Sequence, residues 1–251
     1  MKTMYMDESG YTGVDLLNKE QPFQGALSLK IEEKIAQKLV NEYFPKRQSK
    51  ELKHKILSKK KANWEKLLAI QKILIDEFDG YTYVCNKKFL LILLFLDTCV
   101  EPFWYKRGVN FYENGQNYAL ASLLYYLAPT FWRKEEFESL LYYFQRASKT
   151  KLDLNIQILI EKAKAFQGKE LSEHIYPLII EDKDCINELK SPNFNTDVSF
   201  VVLLSLISYF EKHIEEDYQI IHDTSKNLLS YNKIIKQFID IEDNQFFKIT
   251  H

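Results

Sequence analysis

Two kinds of hydrophobic pattern divide this chain into strand-like and helix-like segments. Short segments predict strands at 2–6, 23–29, 81–85 and 218–222, of which 81–85 is rich in β-branched and aromatic residues, and a further strand is expected to begin at 246–249. Elsewhere hydrophobic residues recur every three or four positions, which predicts amphipathic helices. The clearest of these span 31–43, 64–78, 90–101, 118–127, 134–145, 154–166, 198–213 and 227–239. The mixture predicts an α/β fold built on a mixed sheet.

The helical pattern is concentrated in the middle of the chain. Residues 90–194 are almost entirely helical in pattern, with breaks expected at Pro102, Gly108, Gly115 and Pro129. We therefore predict a large helical insertion at 90–194. The flanking residues 1–89 and 195–251 carry all the predicted strands and are expected to form the α/β core together.

Composition indicates a folded cytoplasmic protein. Hydrophobic residues make up 46% of the 251 positions and charged residues 27%, which does not favour disorder. The three cysteines match no zinc or disulfide spacing, so a reducing cytosol is expected. The N-terminus lacks the apolar segment of a signal peptide. The longest apolar run, residues 89–96, is too short to cross a bilayer, so no membrane association is expected.

Two adjacent acids, Asp7 and Glu8, stand where the first predicted strand enters a Ser-Gly turn. One interpretation is a solvated turn in which a carboxylate caps the next segment. The other is a rigid carboxylate that holds a hard cation such as Mg²⁺. Because neighbouring residues of a strand face opposite sides of a sheet, only one of the two acids is expected to face such a cation.

A strongly basic run follows the first predicted helix. Its basic residues are Lys46, Arg47, Lys50, Lys53, Lys55, Lys59, Lys60 and Lys61. Glu51 is the only acid among them. The run is either a solvated loop or a strip that binds an anionic polymer, and the overall net charge of −1 does not decide between these. The solitary acid is explained only by the second interpretation.

A third acid, Asp223, follows the predicted strand at 218–222, so two aspartates stand at strand ends. Ligands gather beyond strand ends in open sheets. Asp7, Glu51 and Asp223 are therefore expected to converge on divalent ions that activate water against a phosphodiester. His222 precedes Asp223 and would face the other side of the sheet, where a packed core histidine is expected.

These residues resemble a known family. The pattern Tyr5-x-Asp7-Glu8-Ser9-Gly10, the tripeptide Glu51-Leu52-Lys53 and a late strand ending in Asp223 are similar to the domain-of-unknown-function family numbered 3800, of the ribonuclease H-like superfamily. The resemblance implies a ribonuclease H-like mixed sheet and a carboxylate-held Mg²⁺ or Mn²⁺ centre. It also implies a nuclease activity connected with anti-phage defence or toxin systems.

The resemblance also assigns roles to residues. Asp7 would be the central metal ligand, with Glu8 beside it, and Asp223 would be the third carboxylate. Glu51 would bind the metal directly or through water, and Lys53 would contact the scissile phosphate. The other basic residues of the 46–61 run would guide the nucleic-acid backbone.

One departure from the family pattern affects the predicted site. The family continues with a last strand and a helix that bears a further Asp, whereas this sequence reaches His251 where that strand would begin. We therefore expect an incomplete metal site, or a sheet edge that binds a protein partner or a second copy of the chain.

The sequence thus predicts a metal-dependent nuclease acting on DNA or RNA. The alternative is a non-catalytic, degenerate subunit of a defence complex that binds nucleic acid or a protein partner. A third hypothesis is an enzyme acting on a small phosphorylated molecule. Sequence patterns do not distinguish DNA from RNA or single strands from duplexes.

Overall fold

The computed structural model describes residues 2–47 and 52–222, together with the isolated positions 231 and 235. Its described part combines helices with a four-stranded mixed sheet, which confirms the predicted α/β class. The expected helix at 227–239 and strand at 246–249 fall outside the described residues, apart from those two positions. None of the described helices is long and apolar enough to cross a membrane.

The sheet is built around the first strand. Its strands are β1 (Lys2–Ser9), β2 (Phe23–Leu29), β3 (Gly80–Asn86) and β4 (Tyr218–His222). Their order is β3-β2-β1-β4, with β1 antiparallel to β2 and parallel to β4. All four lie at predicted positions, and burial alternates along them as expected of a pleated surface.

The two faces of the sheet differ in burial. On β1 and β2, Met4, Met6, Ala26 and Ser28 point to one face and are almost fully buried. Helix α11 (Ser199–His213) covers this face through Phe210, whose ring lies 5.5 Å from that of Tyr81 and 5.6 Å from that of Tyr218. The opposite face is more exposed, as the 48% exposure of Leu27 shows.

The helices that follow β2 bury little. They are α1 (Glu33–Tyr43), the short α2 (His54–Leu57) and α3 (Trp64–Glu77), with a 3₁₀ turn at Lys61–Asn63. No residue of α1 or α3 is buried in the described structure. Leu68 is 65% exposed and Ile75 is 78% exposed. Their apolar spacing correctly predicted helices but not burial.

Contacts within the chain divide it into two compact units. The first comprises the described parts of Met1–Ser9, Gly25–Tyr83 and Val202–His251, and the second comprises Gly10–Gln24 and Val84–Val201. The second unit therefore includes Gly10–Gln24, which the predicted boundaries leave with the α/β core. Side chains of the helical unit hold this segment: the backbone N–H of Leu16 donates to Gln145 at 2.7 Å, and Thr196 donates to the carbonyl of Val14 at 2.8 Å.

Helices dominate the second unit. They are α4 (Lys87–Cys99), α5 (Glu101–Tyr105), α6 (Gln116–Phe131), α7 (Lys134–Thr150), α8 (Asp153–Lys164), α9 (Tyr176–Ile179) and α10 (Lys183–Lys190). Short 3₁₀ turns occur at Glu113–Gly115 and Ser172–Ile175. The core contains an edge-to-face pair, Phe95 and Phe144, with ring centroids 5.3 Å apart.

One predicted helix break is wrong. The sequence suggested a break at Pro129, but α6 continues through it to Phe131. A proline inside a helix removes one backbone hydrogen bond. Here the loss falls in the last turn, and burial of Leu124 and Ala128 holds the helix in place.

Candidate functional site

The two acids of the first strand lie on opposite faces of the sheet, as strand geometry requires. Asp7 is exposed, and its Oδ1 accepts a hydrogen bond from the backbone N–H of Glu8 at 2.9 Å. The side chain of Glu8 points to the covered face and is only 8% exposed. The structure therefore places Glu8, rather than Asp7, on the covered face. The central role of Asp7 stays a prediction.

His222 is the described residue that meets Glu8. Strand β4 runs parallel to β1, with His222 opposite Met6, so the two strands end at the same edge of the sheet. Glu8 lies two residues beyond Met6 and shares its face. As a result, Nε2 of His222 lies 3.9 Å from Oε1 of Glu8, and the histidine side chain is 10% exposed.

The histidine was expected in the core, and it is largely buried. Sequence reasoning missed its acidic neighbour, because a motif by itself does not show which strands pair. The sequence does contain one relevant signal, which is the alternation of side chains between the two faces of a strand. Once β1 and β4 are known to be parallel, Met6 and His222 are in register and Glu8 follows on the same face.

The burial of Glu8 beside His222 favours a cation near the pair. A carboxylate that loses most of its water needs a cation near it, because burying an uncompensated charge is costly. A metal ion bound to both residues would be one such cation. Glu8 and His222 would be the residues to hold such an ion, because carboxylate oxygen and imidazole nitrogen are both metal ligands.

A complete metal site needs a further ligand. Among the described residues, no group of three His, Cys, Asp or Glu side chains is arranged to hold a metal ion. Glu51 and Asp223, the two other predicted carboxylates, both lie outside the described residues, as does Lys50. Glu8 and His222 are residue types that could supply two ligands of such a site.

The described members of the basic run are all exposed. They are Lys46 and Arg47 after α1, Lys53 and Lys55 at α2, and Lys59, Lys60 and Lys61 before α3. Exposure is expected both of a solvated loop and of a nucleic-acid-binding strip. The predicted contact of Lys53 with a phosphate therefore stays a prediction.

Sequence reasoning overlooked a second acidic location, in the helical unit. A cavity of about 650 Å³ is lined by Asp97 of α4, with Glu101, Tyr112 and Glu188 around it. Burial raises the pKa of Asp97 to about 6, although a hydrogen bond with Tyr112 opposes the rise. In the sequence the signal is Asp97, a single acid that ends the apolar run 89–96. That run is considered above only as a possible membrane span.

Comparisons with known proteins add no assignment: no family model, no curated protein and no solved structure matches this chain. The resemblance to the ribonuclease H-like family therefore stands on the motif residues alone.

Proposed function

We propose that this protein is a metal-dependent nuclease whose centre forms where β1 and β4 end, with Glu8 and His222 as two of its metal ligands. The observation that carries the proposal is the approach of Oε1 of Glu8 to Nε2 of His222, at 3.9 Å on a covered face. The sequence motif adds Asp7 and Asp223 at the same two strand ends.

The sheet topology supports this location. A central first strand, antiparallel to one neighbour and parallel to the other, is compatible with the ribonuclease H-like sheet that the resemblance implies. Because the carboxyl ends of parallel strands meet at one edge, side chains distant in sequence reach the same place. The ribonuclease H-like assignment is part of the proposal.

The chemistry follows from the ligands. A divalent ion held by Glu8 and His222 would lower the pKa of bound water and stabilise charge on the phosphodiester. The Glu8 and His222 side chains would orient that ion. The exposed lysines near α2 would attract the nucleic-acid backbone. Asp7, on the open face, could contact the same ion only from the strand end.

The test combines metal binding with cleavage. We expect Mn²⁺-dependent cleavage of labelled DNA or RNA that EDTA abolishes. Glu8→Gln and His222→Asn are each expected to weaken Mn²⁺ binding, measured by calorimetry, and to lower the cleavage rate by about 10²-fold or more, since supporting and ligating residues contribute this much. Asp7→Asn tests the separate role that the sequence motif assigns to Asp7: loss of cleavage would support that role, and normal cleavage would leave the centre to Glu8 and His222.

Glu215→Gln is the matched control, because Glu215 is an exposed acid of the same unit. It is expected to leave both measurements unchanged. Cleavage that survives EDTA, or a Glu8→Gln variant with normal Mn²⁺ binding and normal cleavage, would contradict the proposal.

One observation favours the alternative, a non-catalytic subunit. The exposed apolar side chains of α3, Leu68 and Ile75, are typical of a surface that another protein covers. Nucleic-acid binding without cleavage in any divalent metal, together with full structural stability, would support this second function.

A further inference from the structure

A groove in the first unit lies between the start of β3 and the last turns of α11. It has a volume of about 530 Å³, within the range of specific ligand sites. Its lining residues are Gly80, Tyr81, Thr82 and Tyr83 of the strand and Ser205, Leu206, Ser208, Tyr209, Lys212 and His213 of the helix. We refer to it as the tyrosine groove.

Aromatic rings form the walls of the tyrosine groove. The ring of Tyr209 lies 5.4 Å from that of Tyr81 and stacks on His213 at 4.0 Å with the planes only 17° apart. The imidazole is oriented, because its Nδ1 donates to the backbone carbonyl of Tyr209 at 2.8 Å. Tyr209 is nevertheless 42% exposed, so part of its surface is available to a further ring.

The polar groups of the tyrosine groove suit an anion. Lys212 provides a positive charge, and the hydroxyls of Ser205 and Ser208 can contact phosphate or sugar oxygens. None of the described residues that line the groove is acidic. The adjoining cavity, which shares Tyr81 and His213 with the groove, is lined by the acids Asp79, Glu215 and Glu216. Two of these form ion pairs, Asp79 with Lys30 at 3.9 Å and Glu216 with Lys2 at 3.2 Å.

We infer that the tyrosine groove binds unpaired nucleotides of a single-stranded nucleic acid. Rings that line a groove can stack only on bases that are not already paired and stacked within a duplex. A cation and several hydroxyls beside such rings match the phosphates and sugars that join the bases. If the groove selects the substrate of a nuclease, the inference rests on the proposed function. The binding of single strands does not itself require cleavage.

The tyrosine groove is separate from the Glu8–His222 pair. The groove is lined by β3 and α11, and β2 lies between β3 and β1 in the sheet, so the groove shares no lining residue with Glu8 or His222. The groove would therefore hold the strand away from the reacting phosphate, and its loss would alter binding before it altered chemistry.

The binding experiment uses the full chain in EDTA, so that no cleavage interferes. Fluorescence anisotropy would measure the affinity for labelled 15-nucleotide deoxythymidine and uridine oligomers and for a duplex of equal length. We expect tighter binding of a single strand than of the duplex. Tyr209→Ala is expected to weaken single-strand binding about tenfold, in line with the loss of one base-stacking ring.

Conservative variants separate recognition from folding. Tyr209→Phe keeps the ring and is expected to bind normally. Lys212→Ala is expected to weaken binding and to reduce the slope of log affinity against log salt concentration by about one. Lys212→Arg keeps the charge and is expected to leave both the affinity and the slope unchanged. Tyr126→Ala is the control, because Tyr126 is a 72% exposed tyrosine of the other unit.

The outcomes distinguish the two proposals. Equal affinities of the Tyr209→Ala and Tyr126→Ala variants would overturn the inference, and so would equal binding of duplex and single strand. If the groove instead binds an extended peptide along β3, the Tyr209→Ala and Tyr126→Ala variants would bind the oligonucleotide equally well. Binding that depends on Tyr209, with no cleavage in any metal, would refute the nuclease and leave the tyrosine groove intact.

Discussion

Replacing Gly10 with alanine tests whether the glycine of the Asp-Glu-Ser-Gly motif is required by the backbone. Gly10 has φ +81°, a conformation that side chains disfavour by about 1–2 kcal/mol. A Cβ atom at this position would also lie 2.1 Å from the carbonyl oxygen of Phe23. That distance is too short for any contact, so the backbone around Phe23 would have to move.

Gly108 offers a matched comparison. It has the same φ of +81°, but a Cβ atom there would meet nothing within 4 Å. The conformational penalty is therefore common to both sites and cancels in the difference. The remaining term at Gly10 is the clash, which costs about 1–3 kcal/mol when extra atoms enter a packed region.

We expect Gly10→Ala to lower the free energy of unfolding by about 2–5 kcal/mol, and by about 1–3 kcal/mol more than Gly108→Ala does. Urea denaturation would measure both values, with tryptophan fluorescence and circular dichroism as independent probes. Equal losses in the two variants would refute the reasoning, because they would show that the Phe23 carbonyl does not constrain this turn.

Two further predictions concern buried titratable groups. Because burial raises the pKa of Asp97 from 3.8 to about 6, the folded state loses stability as the pH rises from about 4 to 6, and the full cost of the ionised carboxyl remains above pH 6. Asp97→Asn is therefore expected to raise the free energy of unfolding by up to about 3 kcal/mol at pH 8 and to have little effect below pH 4. Urea titrations across this range would measure the difference. A gain that did not change with pH, or that the exposed Asp153→Asn control also showed, would contradict it. The thiols of Cys85, Cys99 and Cys185 are buried and unpaired, and burial raises their pKa values, that of Cys185 to about 12. They are expected to react with a thiol reagent at pH 8 only after denaturation; rapid labelling of the folded protein would contradict this.

Local patterns were sufficient to locate the secondary structure. The predicted runs 23–29 and 218–222 matched strands whose bounds the structure repeats. Helix ends were less predictable, as α6 shows by continuing through Pro129. A helix end depends on burial by other elements as well as on local propensity, and burial is not encoded in any one segment.

The candidate site was only partly predictable for the same reason. The sequence identified acids at strand ends and the alternation that separates Asp7 from Glu8. It did not show that β4 runs parallel to β1, which is what brings His222 to Glu8. The tyrosine groove likewise depends on α11 lying against β3, and its residues are more than a hundred positions apart in the chain.

The sequence by itself determined the α/β class, the positions of the described strands, and the placement of two neighbouring acids on opposite faces of one strand. These properties follow from interactions within a few residues, through hydrophobic period and backbone geometry. Tertiary structure alone decided which acid lies on the covered face, which histidine it meets, and which aromatic rings share a groove. These depend on strand order, direction and register, which are set by packing between segments distant in sequence.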